Sequence, residues 1–544
     1  MTEKLTLRDN PTMRWIALLL LALAMFCSYI FMDILSPIKD LMQDTRGWDS
    51  ASFGRMQGAE VFLNVYVFFL IFAGIILDKM GVRFTAVLSG AVMLVGGLIK
   101  FYAVSESFIG TGMENWFNTH LNWKVNIPFI GDILPFADGM PGSAKLAAIG
   151  FMIFGSGCEM AGIPVSRGIV KWFKGRETAL AMGSEMALAR LGVATCMIFS
   201  PYFAKLGGEI HVANSVKFGV VLLCIALMMF IVYFFMDKKL DAQTGEAEEK
   251  DDPFKLSDLG KIFSSLGFWL VALLCVLYYS AIFPFQKYAV NMLQCNLTLN
   301  PADINTYWGG STESFPISVT IVQYIIMLIV AICSFASNFS KKKGMKFGLM
   351  ALAVVALVIY CYMGYMRGTA ETIFAVFPLL AVAITPILGN YVDHKGKAAT
   401  MLMLGSILLV VCHLTFAFIL PAFKGNAVGG TVIAYVTILV LGASFSLVPA
   451  ALWPSVPKLV DEKIIGSAYA AIFWIQNIGL GLFPTLIGNV LQNTNEAGTA
   501  AHELDYTWAL VMLAALGIAA LLISVYLKAV DKKKGFGLEE PNIK

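Results

Sequence analysis

Fourteen stretches of this 544-residue chain are apolar for long enough to cross a lipid bilayer, the first near 13–33 and the last near 507–528. About 20 apolar residues in a helix span the ~30 Å hydrocarbon core. No water satisfies an open backbone there, so only helices and closed barrels can cross it. Runs of this length select helices. The expected fold is therefore an all-α polytopic membrane protein. Composition agrees, with 58% of residues hydrophobic and 14% charged, where a soluble domain carries about a quarter charged residues.

Orientation follows from where the 39 Lys and Arg residues fall. Placing the N-terminus in the cytoplasm puts most of them on inner loops and predicts both termini inside. On this reading only Arg167 and Arg190 remain as basic residues within helices. The first run has no small-residue cleavage site after it and reads as a span, not a signal peptide. Eight of the nine cysteines fall inside apolar runs, and no CxxC or Cys/His cluster appears, so neither disulfides nor a metal site is expected. Nucleotide and nucleophile motifs are missing as well. No cofactor and no nucleic-acid partner is expected, and the chain is not read as an enzyme. What remains is binding and movement within a bilayer.

The stretch from Gly155 to Gly192 holds two apolar helical segments joined by the basic turn Lys171–Arg176. Glu159 lies in the first and Arg190 in the second. Each sits about 12 or 13 residues in from one helix end, roughly 20 Å of depth. An ionisable group there costs at least ~2.5 kcal/mol and marks a functional site with a partner. An Arg fork suits a carboxylate and an acid suits an ammonium, so the two fit the ends of a small zwitterion. Without ligand they are expected to neutralise one another, and a permanent structural ion pair is the plainer alternative.

Six apolar runs precede the charged segment Asp237–Lys261 and eight follow it. The surplus pair, within 317–366, is joined by Lys341, Lys342, Lys343 and Lys346 and reads as an inserted hairpin with its turn in the cytoplasm. A turn also repeats. GIILDKMGVR runs from Gly74 to Arg83, and GNYVDHKGK from Gly389 to Lys397, each after the second core helix of its half. Glycines permit a tight turn, the acid faces a helix N-terminus, and the bases hold the turn inside. This recurrence resembles the signature turn of the major facilitator superfamily. The resemblance implies two six-helix bundles, 1–236 and 266–528, with 237–265 as cytoplasmic linker and 529–544 as tail. It also implies rocker-switch alternating access. Gly74, Asp78, Gly81 and Arg83, with Gly389, Asp393, Gly396 and Lys397, would then belong to the cytoplasmic gate rather than to the substrate site.

More specific stretches are FCSYIFMD with Tyr29 and Asp33, GSGCE and ALARLG around Glu159 and Arg190, and FWLVALLCVLYYSAIFPF from Phe268 to Phe285. SFSLVPAALWPSVPKLV and GSAYAAIFWIQNIGL complete the set. Together they are similar to the lysosomal dipeptide transporter branch, the major facilitator superfamily domain-containing protein 1 family, and its microbial relatives. That resemblance implies a dipeptide or similar zwitterion as substrate, Glu159 taking the amino end and Arg190 the carboxyl end. It does not cover the outer loop Ser105–Lys145 or the inserted hairpin. Phe445 stands where the animal branch is expected to carry a tyrosine, and no acidic dileucine tail is present. A microbial plasma membrane is therefore expected, with a lysosomal or vacuolar membrane as the alternative. The sequence names no accessory subunit.

Tyr279, Phe283 and Gln286 fall on one helix face at spacings of four and three, beside Pro284. They join Tyr29 and Asn477 as candidate binding residues, with packing as the alternative. Glu185 and Asp33 are the candidates for proton coupling. For Glu185 a structural pair with Arg167 is the competing reading, and for Asp33 a helix-end or gate role. His413 stands alone among apolar residues and reads as packing. Two other functions fit the same residues: an organic-anion antiporter using Arg190, and a non-transporting sensor or scaffold.

Overall fold

The computed structural model describes residues 6–127, 131–174, 176–244, 256–299, 317–340, 342–460 and 465–541. Among them 13 helices are long and apolar enough to span a membrane. Following the charge asymmetry, the end that carries both termini is called cytoplasmic.

The second expected span, 54–77, is not one continuous helix. After α1 (Pro11–Met32), the region expected to cross as one helix is split into α2 (Ser50–Gly58), a 3-10 turn at Ala59–Val61 and α3 (Phe62–Tyr66). Phe68 follows with φ +55°, and α4 (Phe69–Val104) begins. Non-helical backbone at membrane depth persists only where protein or a cavity shelters it. Here the other half shelters it: the Trp474 indole N–H donates to the Val65 carbonyl at 3.0 Å, and its ring stacks on Phe68 with centroids 5.5 Å apart. Within α4 the first signature turn is a sharp break, with Gly81 at φ +82° and ψ 168°, a conformation open to glycine and costly for other residues.

The first half continues through α5 (Gly142–Trp172), α6 (Thr178–Ala204) and α7 (Val212–Thr244). Helix α7 runs past Asp237, so the start of the expected linker is helical. The second half comprises α8 (Leu266–Asn296), the inserted α9 (Ile317–Phe339) and α10 (Lys343–Arg367), then α11 (Val376–Lys395), α12 (Ala398–Leu414), α13 (Ala427–Leu459), α14 (Ile465–Thr494) and α15 (Thr507–Lys534). The inserted pair is tied together by Arg367, which reaches Gln323 and Thr320. It leans on α6 through Tyr324, whose hydroxyl lies 3.2 Å from that of Thr195. The outer loop carries a short antiparallel hairpin, β1 (Asn126–Ile127) with β2 (Gly131–Asp132).

The halves meet tightly at the outer end. Gly54 and Gly58 on α2 abut the Pro484 and Gly481 carbonyls of α14, where a Cβ would collide. Tyr288 donates to Ser50 O at 3.1 Å, Arg55 to Asn489 at 3.1 Å and Lys39 to Asn291 at 3.0 Å. Asn489 and Arg55 also share the Asp132 carbonyl of the outer loop. At the cytoplasmic end the ion pairs named below run within one half or the other. The molecule is closed at its outer face.

The expectation that Arg167 and Arg190 are the only basic residues inside helices fails. Lys39, Arg55, Lys100, Lys145 and Lys287 are helical and buried. Their long stems allow them to lie inside while charge counting assigns them to loop flanks.

Candidate functional site: two charged clusters at the seam

Helix α6 carries Arg190 to the face where the halves meet, where aromatic rings pack around it and Glu185 of its own helix is the acid that faces it. Its guanidinium carbon lies 5.0 Å from the Phe283 ring centroid, 5.1 Å from Phe445 and 6.0 Å from Tyr29. These rings come from α8, α13 and α1. A cation over ring faces gains ~2 kcal/mol or more when desolvated, which offsets much of the cost of holding it at this depth. The cage is braced in turn. Phe283 and Phe445 meet edge to face at 5.6 Å, and Tyr279 packs on both. The Trp453 indole donates to the Tyr279 hydroxyl at 3.1 Å.

Glu159 on α5 is half-buried, and what it faces from the second half is Asn477 on α14. The Asn477 amide nitrogen is buried and short of hydrogen-bond geometry, so it approaches the carboxylate without closing on it. Glu159 and Arg190 form no ion pair with one another; the expected mutual neutralisation does not occur. The physical reason is the cage, which holds the guanidinium against rings. Glu185 does not pair with Arg167 either; the charge that it faces is Arg190. Beside these acids, toward the cytoplasm, Gly162 and Gly183 front open space, since an added Cβ would meet nothing within 4 Å.

A second cluster lies further out. Lys287 of α8 crosses the seam to Asp33 at 2.8 Å and to Glu60 at 3.6 Å. It also donates to the Met32 carbonyl at 3.2 Å. Gln286 donates to the other Asp33 oxygen at 2.7 Å, and Ser36 to the first at 3.2 Å. The Lys100 ammonium, from α4, sits 3.6 Å from the Phe151 ring centroid and has no hydrogen-bond partner. Gln286 therefore belongs to this cluster and not with Tyr279 and Phe283. Seven residues along a helix keep the face but add ~10 Å of depth.

Sequence reasoning missed Glu60, Lys100 and Lys287. Part of their signal was present, since each is an ionisable residue inside an apolar run, but each lies only a few residues from the end of its run, unlike Glu159 and Arg190. Of the signature-turn residues, Gly74 and Asp78 lie in α4, the Asp78 side chain falling outside what is described. Arg83 reaches Asp241 at 2.5 Å and Asp237 at 3.7 Å. Lys171 binds the same two acids at 2.6 and 2.7 Å, and the Trp172 indole donates to Asp237 at 2.9 Å. In the second copy Gly389 and Asp393 end α11, while Gly396 has φ +70° and Lys397 φ +65°. There the tail docks on the turn. Glu539 accepts from the Thr400 amide and hydroxyl, both at 2.8 Å, and Lys397 and Ala398 donate to the Glu539 and Leu538 carbonyls. His413 is buried against Phe285, as a packing residue should be.

The family model described as Major Facilitator Superfamily matches residues 21–373, well over half of the chain. Among curated proteins, the Lysosomal dipeptide transporter MFSD1 of Danio rerio is 24% identical over 88% of this chain and 80% of its own length. The Homo sapiens protein of the same name is 24% identical over 67% of this chain, which spans 63% of that relative. Among solved structures, the nucleoside transporter NupG superposes with a TM-score of 0.58 at 12% identity, over 94% of this chain and 98% of that one. A structure of proton-dependent oligopeptide transporters gives 0.56 at 12% identity, over 97% and 99%. These likenesses establish the fold.

Proposed function

The chain belongs to the Major Facilitator Superfamily, and on that premise we propose that it transports dipeptides or similar small zwitterions by alternating access. Glu159 takes the amino end and Arg190 the carboxyl end. The observation that carries this reading is the pair of charges that face the seam without forming an ion pair. Among the described residues, each is met from the second half by neutral groups: Phe283 and Phe445 over Arg190, Asn477 beside Glu159. A zwitterion bound between them would complete both at once and draw the halves together. The rings hold the guanidinium without supplying an acceptor, and its planar fork suits a carboxylate. The low identity to relatives named as lysosomal dipeptide transporters is consistent with this substrate class and does not carry it alone.

The closed outer face corresponds to the state that would release substrate to the cytoplasm. Asp237, Asp241, Arg83 and Lys171 hold the inner end of the first half as one body, and the tail does so for the second, Glu539 with Lys528 and the Gly537 and Glu540 carbonyls with Lys458. The protein is an integral membrane protein; we place it in a microbial plasma membrane, both termini inside. Uptake of radiolabelled dialanine into proteoliposomes tests the reading. Wild-type protein should exchange it, Glu159→Gln should lose at least tenfold, and equal rates in the two would defeat the two-ended clamp. Tight exchange of a dicarboxylate, unaffected by Glu159→Gln, would favour the organic-anion antiporter instead.

A further inference from the structure

The outer cluster is balanced only while the halves touch. Among the described residues, Lys287 is its one contribution of charge from the second half; Asp33, Glu60 and Lys100 all belong to the first. Alternating access in this family requires the halves to part at the outer face. Lys287 then leaves with α8, and the first half keeps two carboxylates against a single ammonium. Glu60 sits at the break between α2 and α3, where its backbone carbonyl packs on Gly155 of α5. It is fixed to the first half and cannot follow Lys287. The ionisable groups around it are Lys287 from α8, Asp33 beyond α1, Lys100 from α4, and Cys158 and Glu159 from α5. None of these supplies the missing positive charge once Lys287 is gone. Lys100 is already present, fully buried, its ammonium over the Phe151 ring and without a hydrogen-bond partner. Excess negative charge in such a place is not left uncompensated.

We propose that Glu60, with Asp33, is a binding site for one monovalent cation, a proton or Na⁺, taken from the outside when Lys287 withdraws. For a proton the step is simple: the Glu60 carboxylate gains H⁺ from outside water as the halves part. On closure the Lys287 ammonium docks again, the carboxylic acid becomes untenable as a neutral partner, and the proton leaves toward Glu159 and the inner opening. For Na⁺ the same ammonium displaces the ion. Either way one positive charge moves inward for each cycle, so a zwitterion would be carried in a net-positive step. This rests on the transport reading above.

The test uses full-length protein in proteoliposomes with radiolabelled dialanine, under acid-outside, Na⁺-outside and no gradient, with counterflow as the control. Wild type should accumulate dialanine several-fold above equilibrium under one of the two gradients, and that gradient names the cation. In Glu60→Gln the accumulation should fall to the equilibrium level relative to that variant's own counterflow. Gradient-driven accumulation retained by Glu60→Gln overturns the site. Wild-type counterflow without accumulation under either gradient overturns the coupling. No counterflow in wild type defeats the transport reading, and the cation site with it. Should Glu60→Gln lose counterflow as well, wild type decides on a solid-supported membrane. A dialanine jump should give an inward positive current that grows with outside H⁺ or Na⁺, because the zwitterion itself carries no net charge. No current overturns the proposal.

Discussion

Two clusters of charge lie along the same seam, and they are completed in opposite ways. In the outer one, Lys287 is met by Asp33, Glu60 and the Met32 carbonyl, all from the facing half. In the central one, Arg190 meets rings from both halves and Glu159 meets an amide that stops short of it. Ion pairs across the seam make a lock, since each charge is satisfied by closure alone. Charges that the facing half gives no counter-charge make a site, since closure is complete only when something is bound. The inner ends show the lock principle again within each half, as Arg83 with Asp237 and Asp241, and as Glu539 with Thr400.

The contrast can be broken most forcefully at the lock. Lys287→Met leaves Asp33 and Glu60 uncompensated and should destabilise the outer-closed form by about 3–5 kcal/mol, seen as a lower melting temperature in detergent. Arg190→Lys should do the reverse. It keeps the charge but loses the planar fork, so dialanine uptake efficiency should drop about 100-fold, or ~2.7 kcal/mol, at nearly constant melting temperature. A matching loss of stability would mean that Arg190 is structural. Asp33→Asn is milder than Lys287→Met, because Glu60 remains 3.6 Å from Lys287; about 1–3 kcal/mol of stability should go, by the same melting assay. Phe445→Leu removes one wall of the cage and should weaken dialanine binding by about 1 kcal/mol, or roughly fivefold, in a scintillation proximity measurement.

Much of this was readable before any coordinates. Apolar runs came within one of the 13 membrane-length helices among the described residues, the repeated turn pointed to two bundles, and the burial cost of Glu159 and Arg190 singled them out. What stayed hidden was hidden for physical reasons. The break after Gly58 carries no proline to announce it; it is held by Trp474, some four hundred residues away in sequence, through the Val65 carbonyl. Lys287 and Lys100 resemble loop-flanking lysines because a long stem can snorkel in either direction. Gln286 shares a helical face with Tyr279 and Phe283, but periodicity says nothing of depth, and Asp33 claims its amide. The docking of Glu539 on Thr400 joins a tail to a turn more than a hundred residues before it, and no local pattern encodes that.

The central claim is that Glu159 and Arg190 hold opposite ends of one zwitterion. Binding of dialanine, N-acetyl-dialanine and dialanine amide to wild type, Glu159→Gln and Arg190→Gln tests it as a pair of double-mutant cycles. Acetylation should weaken binding more than tenfold in wild type and hardly at all in Glu159→Gln; amidation should behave likewise against Arg190→Gln. If acetylation costs Glu159→Gln as much as it costs wild type, Glu159 does not read the amino end, and the account of the central cluster is wrong.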